Sequence, residues 1–442
     1  MMKNITFVLF STFAAALGGL LFGFDSSVIS GALQSIKPFF GLDEVGLGFS
    51  VSSAVIGCAI GAGTAGYASD LIGRKKMLLI TAILFAISSI GTAIPNSFAV
   101  FVIFRVLCGI SIGAVSVLSP TYIAEIAPAN IRGRLVSLNQ LMIVIGILVA
   151  YFSNYLIKNQ IGGENDWRVM LGIGALPALL FFLALLSAPE SPRWLMKKGR
   201  NSEAEKILVK IGNAENAQKE IADISHGIDE AKVPVSELFK GKMAKVFTLG
   251  LVLACLQQLV GINAVIYYAP TIFEKTGGDE FLQTVMVGLV NLTFTFVAIW
   301  LIDKVGRKLL MIYGSAGMGV SLLLLIFAFI TNQLEGYLVL ISILGYIASF
   351  AASLAPITWV VVTEIFPNKI RGTAMSVAIA AHWSCTFLVT QTFPYILEKI
   401  GGQYAFGIFS ALSFFTLFFV WKYIPETKGK SLEQIQAELG VG

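Results

Sequence analysis

The most regular feature of the chain is the alternation of long apolar runs with short polar segments. A membrane-spanning helix needs about 20 apolar residues, and the runs are continuous, whereas membrane strands alternate within segments of about 10 residues. Twelve runs occur, at residues 5–32, 47–69, 77–95, 98–124, 135–157, 169–188, 246–272, 282–302, 309–330, 336–363, 373–395 and 403–424. The pattern predicts an all-α membrane protein with twelve transmembrane helices.

One long stretch interrupts this pattern. Residues 189–245 are polar, rich in Lys and Glu, and carry short helical patterns such as Ser202–Lys206. We therefore expect an N-terminal six-helix bundle at 1–188, a helical linker domain at 189–245, a C-terminal six-helix bundle at 246–424 and a tail at 425–442.

Basic residues distinguish the two sides of the predicted membrane domain. Loops with clustered Lys and Arg fall on one side, together with the linker and the tail, whereas the opposite loops mix acidic and basic residues. The basic clusters are Arg74-Lys75-Lys76, Arg132 with Arg134, Lys304 with Arg307-Lys308, and Lys369 with Arg371. Because cytoplasmic loops carry an excess of Lys and Arg, we expect a multi-pass cell-membrane protein with both termini and the linker in the cytoplasm.

Composition excludes several other classes of protein. Charged residues make up 13% of the 442-residue chain, against about 25% in a typical soluble domain. The net charge of +5 is too mild to indicate nucleic-acid binding. The four cysteines lie in apolar runs without the spacing of a zinc site or a disulfide framework. No catalytic or nucleotide-binding motif occurs, so we expect no enzyme activity, no metal and no cofactor, with the lipid bilayer as surroundings.

The two halves of the chain repeat the same motifs in the same order. An Asp followed by Gly-Arg-Lys, a Glu followed by Arg-Gly, and a Pro-Glu pair recur at offsets of 233, 239 and 236 residues. The paired segments are 70–75 with 303–308, 125–133 with 364–372, and 189–191 with 425–427. Three motifs at nearly one offset indicate a duplicated six-helix unit, and two such halves with a site between them are typical of transporters.

The charges in these motifs sit at the predicted cytoplasmic edge of the membrane. Basic anchoring alone would not explain the paired acids, so we expect ion-pair networks that latch the inner helix ends of each half. A purely structural role for the charges is the alternative. The residues are Asp70, Arg74, Glu125, Arg132, Glu190 and Arg193 in the first half, and Asp303, Arg307, Glu364, Arg371 and Glu426 in the second.

Taken together, these motifs resemble the sugar porter family of the major facilitator superfamily. The resemblance runs from Gly18–Asp25 to Pro425–Gly429, and its most specific parts are Pro189–Leu195 (Pro-Glu-Ser-Pro-Arg-Trp-Leu) and Gln257–Asn263 (Gln-Gln-Leu-Val-Gly-Ile-Asn). It implies the major facilitator fold: twelve transmembrane helices in two six-helix bundles, with a cytoplasmic helical linker domain. Transport of a monosaccharide by alternating access follows from the same resemblance.

A sugar presents hydroxyl groups all round and two flat C–H faces, so its site needs amides and aromatic platforms. Uncharged polar residues inside the spans are the candidates. On an unbroken helix Gln257, Gln258 and Asn263 would not share one face, so we expect Gly261 to break it. The resemblance implies that amides at Gln140, Gln257, Gln258, Asn263 and Asn291 bind the sugar, with Trp359 and Trp383 as aromatics and Tyr268 in an extracellular gate.

Hydrogen bonding between helices is the alternative role for each of these amides. Two departures from the family pattern bear on specificity. His382 stands where relatives usually carry Asn or Gln, and Ala355 stands where a Gly is common. We include His382 among the sugar-binding candidates, with a packing role as its alternative.

Two charges lie inside apolar runs. Asp25 is about 7 residues, or about 10 Å, from the outer end of its run, and Arg105 lies at a similar depth in its own. Intramembrane charges are functional candidates by default. Pairing would keep Asp25 ionised, and a conformational change that separates the pair would let it take up a proton. A static structural ion pair is the alternative.

These observations favour proton-coupled symport of a hexose or pentose such as glucose or xylose, with Asp25 as the proton site. Relatives that only facilitate diffusion usually carry Asn there, which makes a sugar uniporter the nearest alternative. A polyol porter for a substrate such as myo-inositol and a non-transporting sugar sensor are further alternatives, although such sensors usually carry a long signalling tail. We expect a functional monomer.

Overall fold

A computed structural model of the chain describes residues 5–128, 131–212, 217, 218, 221, 234–430 and 432–439. Residues 213–216, 219, 220 and 222–233 of the predicted linker lie outside the described residues. The part that is described begins with a short helix, Pro192–Lys197, whose N-terminal amide at Trp194 is capped by the Ser191 hydroxyl at 3.1 Å. Farther along, Arg200 donates two 2.7 Å hydrogen bonds to Glu203, and they lower the pKa of that exposed carboxyl.

The described residues form twelve helical spans that are long and apolar enough to cross a membrane, as predicted. A helix pairs its backbone N–H and C=O groups internally, which is necessary in a membrane because hydrocarbon offers them no hydrogen-bond partners. The helices are α1 Ile5–Phe40, α2 Glu44–Ile72, α3 Arg74–Ala93, α4 Phe98–Ile126, α5 Arg132–Gln160, α6 Asp166–Gly172, α7 Ala175–Leu186, α8 Pro192–Lys197, α9 Asn201–Ile211, α10 Gly241–Leu259, α11 Ile262–Phe273, α12 Glu280–Val305, α13 Arg307–Ile330, α14 Tyr337–Ala351, α15 Leu354–Ile365, α16 Asn368–Tyr395, α17 Gly402–Tyr423 and α18 Leu432–Leu439.

Three of the spans are interrupted. The sixth consists of α6 and α7, the seventh of α10 and α11, and the tenth of α14 and α15. The break in the seventh lies at Gly261, whose φ of 94° is left-handed. Glycine is required there for two reasons. A residue with a Cβ would have a strained backbone at that φ, and the Cβ would collide with the ring of Phe409. The predicted break at Gly261 is confirmed.

The chain forms two compact units. Unit 1 comprises Met1–Asp25, Ile56–Ala150 and Arg168–Ala231, and unit 2 comprises Ser26–Val55, Tyr151–Trp167 and Lys232–Gly442. Helices α1, α2 and α5 are therefore each divided between the units. We call the helix ends near the basic loops the inner ends, and the opposite ends the outer ends.

Unit 1 is held together by close helix packing. Helix α3 packs against α4 and α7. Glycines bring α2 and α4 into backbone contact: Gly57 and Gly61 face the α4 backbone, and Gly113 faces the backbone of Cys58. Small residues at such contacts allow the dispersion contacts that stabilise helices in lipid.

In unit 2, α13 packs against α14 and α17, and α10 packs against α16. The outer segments of α1, α2 and α5 belong to this unit as well. Ser52 of α2 donates a hydrogen bond to the side-chain carbonyl of Gln391 in α16, and the Gln391 amide donates to the Val45 carbonyl at 3.0 Å. Residues from the first half of the sequence are thus part of the packing of unit 2 at its outer end.

Candidate functional site

The break in the seventh span brings two of the predicted sugar ligands together. The side-chain amide of Asn263, in the first turn of α11, donates a hydrogen bond to the side-chain carbonyl of Gln258, near the end of α10. Gln257 is also buried, and its amide donates to the carbonyl of Leu354 at 3.0 Å, while its own carbonyl has no partner among the described residues. A buried acceptor without a donor is suited to a hydroxyl group.

The aromatic candidates form a second cluster next to this break. Trp359 of α15 and Trp383 of α16 flank His382, with ring centroids 5.2 and 5.5 Å from the imidazole. The imidazole faces the backbone of Ala254, one turn before Gln258 on α10. Nδ1 of His382 is buried and has no partner among the described residues.

The remaining sugar candidates are placed differently. Asn291 is 6% exposed in the middle of α12. Gln140 is half-buried on the part of α5 that belongs to unit 1, whereas the other candidates lie in unit 2. Tyr268 is fully buried, and its hydroxyl donates to the carbonyl of Thr390 at 2.9 Å while its ring packs 5.4 Å from that of Phe393.

The two intramembrane charges form an ion pair in unit 1. Arg105 Nη1 lies 2.8 Å from Asp25 Oδ1, and their side chains are 2% and 8% exposed. The Cys108 thiol, one turn farther along α4, donates to the same carboxylate oxygen at 3.2 Å. The pairing predicted from matching depth is confirmed, whereas the thiol was not foreseen, although its spacing of three residues from Arg105 places it on the same face.

At the inner end of unit 1, Arg74 binds two acids. Its Nη1 lies 2.6 Å from Asp70, and its Nε lies 3.1 Å from Glu125 of α4. Lys197 of α8 pairs with the other oxygen of Asp70 at 2.9 Å. The indole of Trp194 donates to the Asp70 backbone carbonyl at 3.0 Å. We call these five residues the Arg74 cluster.

Unit 2 contains the corresponding Arg307 cluster, formed by three residues. Arg307 Nη1 lies 3.3 Å from Asp303, and its Nη2 lies 3.7 Å from Glu364 of α15. Among the described residues, Nε of Arg307 and Oε2 of Glu364 have no hydrogen-bond partner although both atoms are buried.

Glu190 and Glu426 have a role that we did not predict from the sequence. Glu190 accepts from the amide of Lys75 at 3.0 Å, and Glu426 accepts from the amides of Arg307 and Lys308 at 3.0 and 3.1 Å. Both acids thereby cap the N-terminus of a helix, α3 or α13, where backbone amides lack partners and the helix dipole favours negative charge. The sequence signal for this capping role is a Gly-Arg-Lys sequence at the start of a helix together with a Pro-Glu pair later in the same half of the chain.

Three predicted members of the networks make different contacts. Arg132 Nε donates to the carbonyl of Ala127 at 3.3 Å, and Arg371 donates to the carbonyl of Phe366 at 3.2 and 3.1 Å. Arg193 is exposed and forms no ion pair with a described residue. Arg132 and Arg371 thus satisfy the last carbonyls of the preceding helices, a common use of basic residues at helix ends, instead of binding carboxylates.

Comparison with known proteins agrees with this geometry. Residues 11–439 match the family described as sugar (and other) transporter. The chain is 41% identical to the D-xylose-proton symporter of Escherichia coli (strain K12), over 98% of this chain and 96% of that protein. It is also 41% identical to the arabinose-proton symporter of Bacillus subtilis (strain 168), over 98% of this chain and 95% of that one.

Solved structures give the same result. The inward open conformation of the xylose transporter XylE from E. coli matches with a TM-score of 0.86 at 41% identity, covering 97% of this chain and 98% of that one. XylE bound to 6-bromo-6-deoxy-D-glucose matches with a TM-score of 0.83. The chain is a multi-pass membrane protein of the major facilitator fold, a transporter and not an enzyme. It belongs to the sugar transporter family.

Proposed function

We propose that this protein carries a pentose or hexose across the membrane together with a proton. Two of its relatives are described as proton symporters of xylose and arabinose, each about as long as this chain. The observation that carries the proposal in this chain is the buried ion pair of Asp25 and Arg105. We further infer that the inner ends, the linker and both termini face the cytoplasm, because the basic loops lie on that side.

The sugar binds next to the break of the seventh span. Amide groups are available there from Gln257, Gln258 and Asn263, and the side-chain carbonyl of Gln257 accepts a hydrogen bond from a sugar hydroxyl. Trp359 supplies a flat apolar surface for one C–H face of the sugar. Asn291 adds a further amide within unit 2, Gln140 of unit 1 stays a prediction from the sequence, and Trp383 supports the imidazole of His382.

The proton binds at Asp25. While Arg105 lies 2.8 Å away, the carboxylate is balanced by a positive charge in a site that excludes water. Separation of α1 from α4 during the transport cycle leaves the carboxylate buried without its partner, and protonation then removes the unpaired charge. The same separation leaves the charge of Arg105 buried without a partner, which costs free energy. Protonation of Asp25 and the conformational change are therefore energetically linked.

Sugar-induced alkalinisation in proteoliposomes tests the coupling, with Asp25→Asn compared with the parent protein. We expect the variant to keep sugar counterflow but to lose both proton uptake and accumulation against a gradient. Asp166→Asn is the matched control, because Asp166 is also fully buried and paired, with Lys158 at 3.1 Å, yet it lies outside the proposed path. Intact accumulation by Asp25→Asn would place the proton site elsewhere, and failure of the parent protein to accumulate sugar would show a uniporter.

A competition panel of xylose, arabinose, glucose, galactose, fructose and myo-inositol in counterflow tests the substrate class. We expect pentoses and hexoses to compete more strongly than the polyol, and Gln257→Ala to weaken all competing sugars. Strong competition by myo-inositol alone would replace the sugar assignment by a polyol porter.

A further inference from the structure

The broken seventh span carries two backbone carbonyls without helical donors, one at the break and one in its outer half. Pro270 lies inside α11 and has no N–H, so the carbonyl of Ile266, four residues earlier, lacks its usual partner. The carbonyl of Val260 lies at the end of α10, where the break at Gly261 removes the next turn. Inside a membrane an unsatisfied carbonyl costs several kcal/mol.

Two buried tyrosines satisfy these carbonyls from different helices. Tyr346 of α14 donates its hydroxyl to Val260 at 3.0 Å, and Tyr151 of α5 donates its hydroxyl to Ile266 at 2.8 Å. Both tyrosines are at most 1% exposed. The same chemistry recurs at Pro394 of α16, because Tyr268 donates to Thr390, four residues before that proline.

The two donors differ in which half of the sequence they come from. Tyr346 belongs to the second half, like the seventh span that it contacts. Tyr151 lies on α5, a helix of the first half whose remaining residues up to Ala150 belong to unit 1. The bond from Tyr151 to Ile266 therefore joins the two halves of the duplicated chain within unit 2, as the contact between Ser52 and Gln391 also does.

We propose that Tyr151 is a positioning residue that holds α11 closed against the first half of the transporter. This inference rests on the proposed alternating-access function. When the outer end opens, the carbonyl of Ile266 separates from Tyr151 and takes its hydrogen bond from water instead, so the open arrangement is reached without an unsatisfied group. Pro270 makes this exchange possible, because it keeps the carbonyl available to a donor from outside the helix.

Hydrogen–deuterium exchange of the full-length protein tests the proposal. Tyr151→Phe removes a bond that exists only in the closed arrangement, so we expect amide exchange to rise about threefold, the equivalent of a typical membrane hydrogen bond, in the outer segments 26–40 and 44–55. Tyr346→Phe is the matched control, since its bond stays within the second half. It should raise exchange around 259–262 only.

A double variant identifies the partner carbonyl. Pro270→Ala supplies an N–H within α11 for Ile266, so Tyr151→Phe should have at most half of its single-variant effect in that background. Equal exchange of the outer segments in Tyr151→Phe and the parent, an equal rise in Tyr346→Phe, or full additivity with Pro270→Ala would each overturn the proposal.

Transport measurements separate this proposal from the proposed function. External KM should fall about threefold in Tyr151→Phe together with the maximal rate, because a larger outward-facing fraction binds sugar more readily. A structural lesion would lower the maximal rate and leave KM unchanged, which would contradict the proposal. If the parent itself shows no counterflow with any sugar, the proposed function fails, and the exchange contrast between the two tyrosine variants still decides the role of Tyr151.

Discussion

The Arg74 and Arg307 clusters arise from the same repeated motif but differ in how tightly they are built. Arg74 approaches its two acids to 2.6 and 3.1 Å, and Arg307 approaches its own to 3.3 and 3.7 Å. The Asp70 side chain is 32% exposed, whereas that of Asp303 is 82% exposed. A repeated motif therefore preserves which groups meet without preserving the strength of the interaction, which depends on burial and distance.

The helix caps of the two repeats, by contrast, are similar, although Glu190 binds one helix amide and Glu426 binds two. Gly73 and Gly306 precede α3 and α13 with φ of 108° and 102°, and each faces the carboxylate of its capping acid. The capping distances of 3.0 to 3.1 Å also agree. The inner ends thus combine one interaction that is conserved between the repeats with one that has diverged.

Replacing Arg74 or Arg307 by a neutral residue should produce the largest loss of stability. The difference between the two losses should show how far the two clusters have diverged. In Arg74→Gln the carboxylate of Glu125, only 9% exposed, loses its partner, and Asp70 keeps Lys197 alone, so we expect a loss of about 2 kcal/mol in stability. Arg307→Gln should cost less than about 1 kcal/mol. Thermal unfolding of the purified variants in detergent measures the difference.

The exposed Arg134 provides the control for loss of a positive charge at the inner end, and Arg134→Gln should leave the unfolding temperature unchanged. Equal losses in the Arg74 and Arg307 variants would show that the difference in geometry has no energetic consequence.

Removing the charge of each capping acid should have a smaller effect, equal in the two repeats. Glu190→Gln and Glu426→Gln keep the shape and one acceptor but lose the negative charge at a helix N-terminus, which is worth about 0.3–1 kcal/mol. The same unfolding measurement applies. A clearly larger loss in one variant would mean that the caps have diverged like the arginine clusters.

The fold could be predicted largely from the sequence because its signals are local. Twelve long apolar runs translate directly into twelve spans, and the mismatch of Gln258 with Asn263 on a helical wheel located the break at Gly261. Helix ends were less predictable. Helix α1 continues to Phe40, beyond its apolar run, because polar residues there find partners inside the protein, as Ser35 does with Asp166 at 2.7 Å.

The sequence predicted which residues form the candidate site better than it predicted which groups their side chains contact. The similar depth of Asp25 and Arg105 in the membrane was enough to predict their ion pair, because each charge had one plausible partner at that depth. Charge patterns could not distinguish a carboxylate from a backbone carbonyl as acceptor, which is why Arg132 and Arg371 were expected in ion pairs. Tyr151 carries no charge and gave no signal, although Pro270 already marked Ile266 as a carbonyl in need of a donor.

The smallest expected effect concerns Lys197, which pairs with the aspartate of the first repeat and has no counterpart at Asp303 among the described residues. Lys197 is 49% exposed, so Lys197→Ala should cost less than about 0.5 kcal/mol, and the loss should vanish at high salt because the pair is screened by solvent ions. In the second repeat the nearest equivalent, Lys428, donates to the Lys304 carbonyl at 2.7 Å and leaves Asp303 without a second cation among the described residues. Unfolding temperatures at low and high salt measure the effect. If Lys197→Ala lost as much stability as Arg74→Gln, the linker helix α8, and not the closer packing of Arg74 with its acids, would be the source of the difference between the two repeats.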